Sequence, residues 1–221
     1  MQVGDGQSGG EREWMEFTHR TYWTLLNCGF RLKPTAGTAT GVHPVPIGYG
    51  RVYVHVPGGF RYDAWIDGLR DGKSFVTTGP MLLVDAQRDQ VSGNVLADGP
   101  IDSIEIIVNG EIVKRIETEN KAKSDGTVEA DFREPLSIDS TSWVAVRAWQ
   151  KSSTGRLRFV HSAPAWFDVD NKPIKPSSDE KEFLVNRMKT EMDRSRSIVG
   201  PEAFKEYEEA LKLYESLETK Q

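Results

Sequence analysis

Four histidines, one cysteine and a scatter of arginines are the residues of this 221-residue chain best suited to chemistry. The histidines are His19, His43, His55 and His161, and the cysteine is Cys28. A protein metal site needs several N, O or S ligands converging on one point. Spacings such as His-x-His, His-Glu-x-x-His or a cysteine pair deliver two of them from one element. None of these spacings occurs here. A metal site made wholly from this chain therefore needs ligands brought together over long range. His43 is the leading metal-ligand candidate, because it sits in "AGTATGVHPVPIGYGRVYV", residues 36–54, a Gly/Pro-rich loop entering a strand, where functional residues are often held. The simpler reading is a loop histidine that bonds the backbone or faces water. His19 falls at the edge of an apolar helical arc, and a packing role is expected for it. His55 alternates with Val54 and Val56 and points to one face of a strand. His161 in "VHSAP" sits at a strand end, where a structural role leads. The lone Cys28 excludes an intrachain disulfide and a multi-cysteine zinc site, and reads as packing rather than as a nucleophile.

Two other groupings stand out. In Arg51-Val52-Tyr53-Val54-His55, a period of two puts Arg51, Tyr53 and His55 on one side of a strand. They either line a pocket or form a solvated face with Arg51 paired to a carboxylate. In "TSWVAVRAWQ", 141–150, the same period puts Trp143, Ala145, Arg147 and Trp149 together. An arginine flanked by two tryptophans invites a cation–π stack. The group is either a sugar-binding aromatic platform or core and interface packing. Ser74, Thr77 and Thr78 precede Gly79-Pro80 without any phosphate-loop pattern, and turn capping accounts for them.

The elements that must position these residues follow from periodicity. Glu11 to Asn27 reads as a helix with Trp14, Met15, Phe17, Tyr22, Leu25 and Leu26 on one broad arc. Gly29 then suits a left-handed cap. Phe30–Leu32 and Arg51–Val56 read as strands. Asp63 caps a helix over Ala64–Asp71 that Gly72 ends, and Ser74–Thr77 is a further strand. After Gly79-Pro80 the pattern becomes all-β. Met81–Ala86 leads, and Asn109-Gly110 between β-rich runs is a hairpin signal. Strands over Glu129–Phe132, Ser142–Trp149, Arg156–Val160 and Ala165–Val169 complete an antiparallel sandwich. Ser177 with Glu180 forms a capping box. Leu184, Met188 and Met192 make one helical stripe, and Pro201 opens a second helix carrying Phe204, Tyr207, Leu211 and Tyr214.

Composition narrows the function classes. With 38% hydrophobic and 28% charged residues the chain reads as globular rather than disordered. A net charge of −5 argues against nucleic acid as the main partner. No run reaches the roughly 18 apolar residues of a membrane span. Residues 1–10 lack basic and apolar signal regions and read as a flexible lead-in.

The phrases "YWTLLNCGFRLKPTAGTATGVHPVPIGYGRVYVHV", "YDAWIDGLRDGKSFVTTGPML", "IDSIEIIVNGEIV", "WVAVRAW" and "VHSAPAWF" resemble, over about residues 20–170, the C-terminal portion of CehA/McbA-like metallohydrolases. These are a branch of the PHP (polymerase and histidinol phosphatase) superfamily. The resemblance implies an α+β chain in four parts: a lead-in over 1–10, a partial (β/α)-barrel end over 11–80, an antiparallel β-sandwich over 81–170, and a linker with a C-terminal helical hairpin over 171–221. It implies a divalent metal, zinc or manganese, activating water for hydrolysis of a small-molecule ester or phosphoester. The early His-x-His of the family is missing here, and Ala39 stands where many relatives carry an aspartate ligand. The resemblance thus implies a fragment or split subunit completed by a missing N-terminal half or a partner chain. In the completed site Thr38, His43 and Arg51 would line the centre, with Arg51 as anion partner and His43 as ligand or proton shuttle. Relatives with an attached sandwich are often exported, which leans the compartment that way. The rival reading is a non-catalytic sandwich that binds a glycan or protein through Trp143, Arg147 and Trp149.

Overall fold

In the computed structural model the residues described are 10–38, 46–151 and 155–220. His43, Ala39 and the expected lead-in over residues 1–9 lie outside them. The chain runs α1 (Glu11–Asn27), β1 (Arg51–Val54), α2 (Tyr62–Asp71), β2 (Ser74–Thr77), β3 (Met81–Ala86), β4 (Gln90–Ala97), β5 (Ile101–Val108) and β6 (Glu111–Glu117). It continues through β7 (Lys121–Ala122), β8 (Val128–Pro135), β9 (Ser142–Lys151), β10 (Leu157–Ser162), β11 (Ala165–Phe167), α3 (Ser178–Ser195) and α4 (Pro201–Ser216). The strands form two antiparallel sheets, so the architecture is α+β. The larger sheet has seven strands in the order β1-β2-β10-β9-β5-β6, with β11 also pairing β9; the smaller has the order β3-β4-β8-β7.

Strand β9 shows how the layers are built. Its side chains alternate between two faces. Val144, Val146 and Ala148 point into the space between the sheets, where they meet Val91, Val95, Ala130 and Phe132. Trp143 and Ala145 point the other way and pack with Ile107 against Trp23 and Leu26 of α1. The larger sheet is therefore covered on both faces, by the smaller sheet and by α1.

The buried stripe of α1 is narrower than its apolar arc suggests. Met15, His19, Trp23 and Leu26 recur at helical spacing and are buried. Trp14 and Phe17 remain 39% and 47% exposed, although Phe17 makes an edge contact with Phe183 of α3, the ring centroids 6.4 Å apart. Gly29 takes φ +88° at the end of α1, and Gly72 takes φ +76° at the end of α2, the left-handed caps that the sequence predicts. Ser177 and Glu180 close the predicted capping box, and Pro201 is at the first turn of α4. Lys181 Nζ donates to the Leu217 carbonyl at 2.8 Å, tying α3 to the end of α4.

Three elements differ from expectation. Phe30–Leu32 forms no strand; the Leu32 carbonyl instead accepts the Tyr22 hydroxyl at 2.9 Å. Strands β1 and β2 pair antiparallel with each other, and β2 pairs with β10, so residues 51–77 extend the sandwich's own sheet. Strand β4 is an additional one. Its middle residue Gly93 lies across from Val84 and Phe132. A Cβ there would stand 2.0 Å from the Leu83 carbonyl oxygen and 2.8 Å from the Phe132 ring. Only glycine fits, which is why the strand reads poorly by propensity.

Gly93→Ala is therefore expected to destabilise the fold by about 3 kcal/mol, the upper part of the range for forced overpacking. Urea unfolding followed by tryptophan fluorescence measures it, and a shift of a few tenths would contradict the close approach.

Candidate functional site

The first candidate grouping is real but sealed. Trp143 and Trp149 are 0% exposed and Arg147 is 2% exposed. Of the two readings of Trp143, Arg147 and Trp149, the structure holds the core packing; the alternative of a surface binding platform is corrected, because α1 lies directly over that face. The cation–π stack also has different partners. The Arg147 guanidinium lies 4.7 Å from the Trp149 ring and 4.9 Å from Trp23 of α1, so Trp23 takes the place expected for Trp143.

The charge on Arg147 is met by Glu105 of β5. Arg147 Nε donates to Glu105 Oε2 at 2.7 Å and the Arg147 Nη2 stands 2.6 Å from the same oxygen. Trp149 Nε1 donates to that oxygen at 3.0 Å, and Arg115 Nη2 donates to Oε1 at 2.7 Å. Burial alone would push the Glu105 carboxyl up; the Arg147 charge and these hydrogen bonds overcome it and hold the group below its ordinary value.

Two histidines complete the cluster, and their partners fix their protonation. Arg147 Nη1 lies 2.9 Å from His19 Nδ1. A guanidinium only donates, so this nitrogen accepts and carries no proton. Trp23 Nε1 donates to His161 Nε2 at 3.0 Å, so the His161 proton is on Nδ1, which donates to the Ser162 carbonyl at 2.7 Å. Both rings are neutral. Burial, then the neighbouring His161 and Arg147, hold His19 well below the usual histidine range. Burial is also the main cause that brings His161 down to about 4. The packing roles expected for both are what the structure holds.

Beside this cluster, Asn27 joins four elements. Its Oδ1 accepts from Trp143 Nε1 at 2.7 Å; its Nδ2 donates to the Asn109 carbonyl at 2.8 Å and to Glu180 Oε1 at 2.5 Å. Asn109 and Gly110 take φ +51° and +82°, the positive pair of the predicted hairpin turn. Burial, then Glu180, raises the Cys28 thiol to about 11, so it is an un-ionised packing group.

The second grouping is open. Arg51 begins β1 opposite Thr77, and Val160 of β10 lies opposite the same Thr77 on the other side. Arg51 and Arg158 thus bracket the end of β2. Both line a cavity of about 350 Å³, together with Thr78, Gly79 and Asp98. Arg158 Nη1 donates to Asp98 Oδ2 at 2.8 Å, and Gln150 donates to the other carboxylate oxygen at 2.7 Å. The Nε atoms of Arg51 and Arg158 have no partner. Among the described residues the Arg51 side chain has no hydrogen bond or ion pair; its guanidinium lies over the Tyr53 ring, 5.9 Å from the centroid. Gly79 makes room for Arg158, since a Cβ there would lie 2.6 Å from Arg158 Cδ. The neck of the preceding loop closes beside this cavity. Thr38 Oγ1 accepts the Gly50 N–H at 2.8 Å and reaches the Gly50 carbonyl at 3.3 Å. The Thr38 hydroxyl is thus committed to the loop neck. His55 is exposed and points away from Arg51's cavity, toward a larger cleft.

Among the described residues no group of three or more His, Cys, Asp or Glu side chains could hold a metal ion. The described residues therefore do not fit the divalent metal that the resemblance implies, and His43 lies outside them. No described helix is long and apolar enough to cross a membrane. Comparison with protein families, with curated proteins and with solved structures finds no match. Sequence reasoning found Arg51 by its period-two neighbours. It missed Glu105, whose signal is a lone carboxylate within Ile104, Ile106 and Ile107, and it missed Arg158 and Asp98, which no local pattern marks.

The neutral histidines set a pH dependence. Their folded values lie below the ordinary one near 6.5, so the unfolded chain takes up protons first as pH falls. Stability is expected to hold near pH 7.5 and to fall from about pH 6.5 toward pH 4, by up to about 1.4 kcal/mol per pH unit for each histidine. Glu105 adds to this at the acid end, since its lowered folded value gives stability that is lost as the carboxylate protonates. Urea midpoints at pH 7.5, 6 and 5 test it; a flat profile would contradict the buried neutral rings.

Proposed function

We propose that this chain is the C-terminal part of a PHP-like metal-dependent hydrolase of esters or phosphoesters, incomplete for catalysis on its own, and that its contribution to the site is a pair of arginines that hold the substrate's anion. In this reading residues 11–80 adjoin the end of a (β/α)-barrel, α3 and α4 are a helical hairpin folded back on the body, and the metal ligands come from residues outside those described. The observation that carries the reading is the unpartnered Arg51 guanidinium beside Arg158 at the small cavity. An arginine half-buried without a counter-charge is costly to leave unpaired, and its planar fork suits a phosphoryl or carboxyl group.

The roles divide between the two arginines. Arg158 is anchored by Asp98, so its direction is fixed and part of its charge is already balanced. Arg51 carries a whole uncompensated charge, and it therefore supplies most of the attraction for an anion. The Thr38–Gly50 contact sets the neck of the loop next to them. Its tightness depends on glycine at 50, where a Cβ would stand 2.8 Å from the Gly37 carbonyl oxygen.

Phenyl phosphate is expected to bind the purified chain, and Arg51→Ala to weaken it about tenfold, the scale of one charge-assisted contact. Titration followed by amide-proton NMR measures this. Zinc or manganese added to the chain alone is expected to give no turnover of an aryl phosphate. Absence of phosphate binding, or affinity unchanged in Arg51→Ala, would overturn the proposed role.

A further inference from the structure

A second and larger cleft, of about 890 Å³, opens on the flank of the sandwich. It lies between the edge strand β3 and the place where β10 turns into β11, past the start of β2. That volume is in the range of small-molecule sites. Its floor is apolar, built from Phe75, Val84 and Ala86, which share the inter-sheet face, with Pro164 beside them. Its rim is cationic, with Arg31, Lys33 and Lys73 against a single acid, Asp71.

The three cations are not equivalent. Arg31 is paired with Asp168 and stacks over the Trp166 ring at 4.8 Å. Lys73 Nζ is held by Asp71 Oδ2 at 3.0 Å. Among the described residues Lys33 forms no hydrogen bond or ion pair, and it is only half-exposed. Its stem passes close to Gly72, where a Cβ would meet Lys33 Cδ and Cε at 3.2 Å. Burial, then the Arg31 charge, pulls the Lys33 ammonium below the usual lysine range, with Asp71 opposing. Two further groups in the wall, Ser74 Oγ and Trp166 Nε1, lack a hydrogen-bond partner. Both can donate.

We propose that this cleft binds a monoanionic organic carboxylate with an apolar body, its carboxylate against Lys33 and its body on the floor formed by Phe75, Val84 and Ala86. The charge count selects the class. Among the described residues only one of the rim charges is free, so one negative charge is balanced. A phosphate dianion would need a second free cation, and the described rim has none. A carboxylate is acceptor-only, which complements the ammonium. The apolar floor supplies the rest of the affinity by removing hydrocarbon from water. This site is separate from the Arg51–Arg158 cavity and stands whether or not that cavity binds substrate.

The probe is 2-naphthoate, with neutral 2-naphthamide as its isostere, titrated into the chain by calorimetry. Naphthoate is expected to bind about tenfold more tightly than the amide, as one charge-assisted contact predicts. Lys33→Met should remove that preference, and Val84→Asp should weaken naphthoate at least as much by placing a like charge on the floor. Added inorganic phosphate should leave naphthoate binding unchanged. Amide-proton dispersion confirms that each variant is folded. Equal affinity for acid and amide, full binding by Lys33→Met, or displacement of naphthoate by phosphate would each overturn the proposal.

Discussion

The buried pair of Glu105 and Arg147 is the constraint on which the rest of the molecule turns. Two charges withdrawn from water cost several kcal/mol each unless every polar atom finds a partner. Here the partners come from distant parts of the chain: Trp149 on the same strand as Arg147, Arg115 across the hairpin, and His19 on α1. The pair is therefore fully satisfied only when β5, β6, β9 and α1 are all in place. It favours one height of α1 on the larger sheet, since a shift of one turn would take the His19 acceptor away from Arg147 Nη1 while Glu105 kept the other two donors. A core of tryptophan and isoleucine alone would tolerate such a slip far better. The two indoles stacked on Arg147 add attraction that needs the same alignment.

This constraint decides where a ligand can go. One face of the larger sheet is closed by α1, and the other is filled by the inter-sheet core of Val91, Val95, Val146 and Phe132. Two of the openings left are the end of the β1–β2–β10 ladder and the open flank beside β3. Arg51 and Lys33, which have no counter-charge bonded to them among the described residues, lie at those two places. A single strand face links them. Arg51 and Tyr53 alternate on the same side of β1, and Tyr53 stacks on Phe75 at 5.2 Å. Arg51 looks into the small cavity, and Tyr53 into the wall of the larger cleft.

Local chemistry was well legible in the sequence. The caps at Gly29, Gly72 and Ser177, the Asn109-Gly110 turn and the alternation along β9 each depend on residues within a few positions of one another. Strand β4 was not legible, because Gly93 there is dictated by the Leu83 carbonyl of a neighbouring strand rather than by its own segment. The face shared by Trp143, Arg147 and Trp149 was legible, but spacing alone left a buried face and a binding platform both open. What covers it is a helix more than a hundred positions earlier, and period-two spacing is the same for a buried face and an exposed one. Arg158 and Asp98 were invisible for a related reason, since they meet Arg51's cavity only through the register of β10 on β2.

The two open sites differ in a way that follows from how each cation is held. At the small cavity, Asp98 balances Arg158 and leaves Arg51 whole, and both guanidinium groups are planar forks that can grip a tetrahedral anion from two directions. At the flank, Arg31 and Lys73 are already neutralised by Asp168 and Asp71, and the remaining Lys33 is a point charge over hydrocarbon. The first arrangement favours a compact, strongly charged group with little need for an apolar surface. The second favours a weakly charged group attached to a body that wants to leave water. A chain whose net charge is −5 repels anions on average, so anion recognition must be local. It rests on the few cations that the fold keeps free of the acids around them.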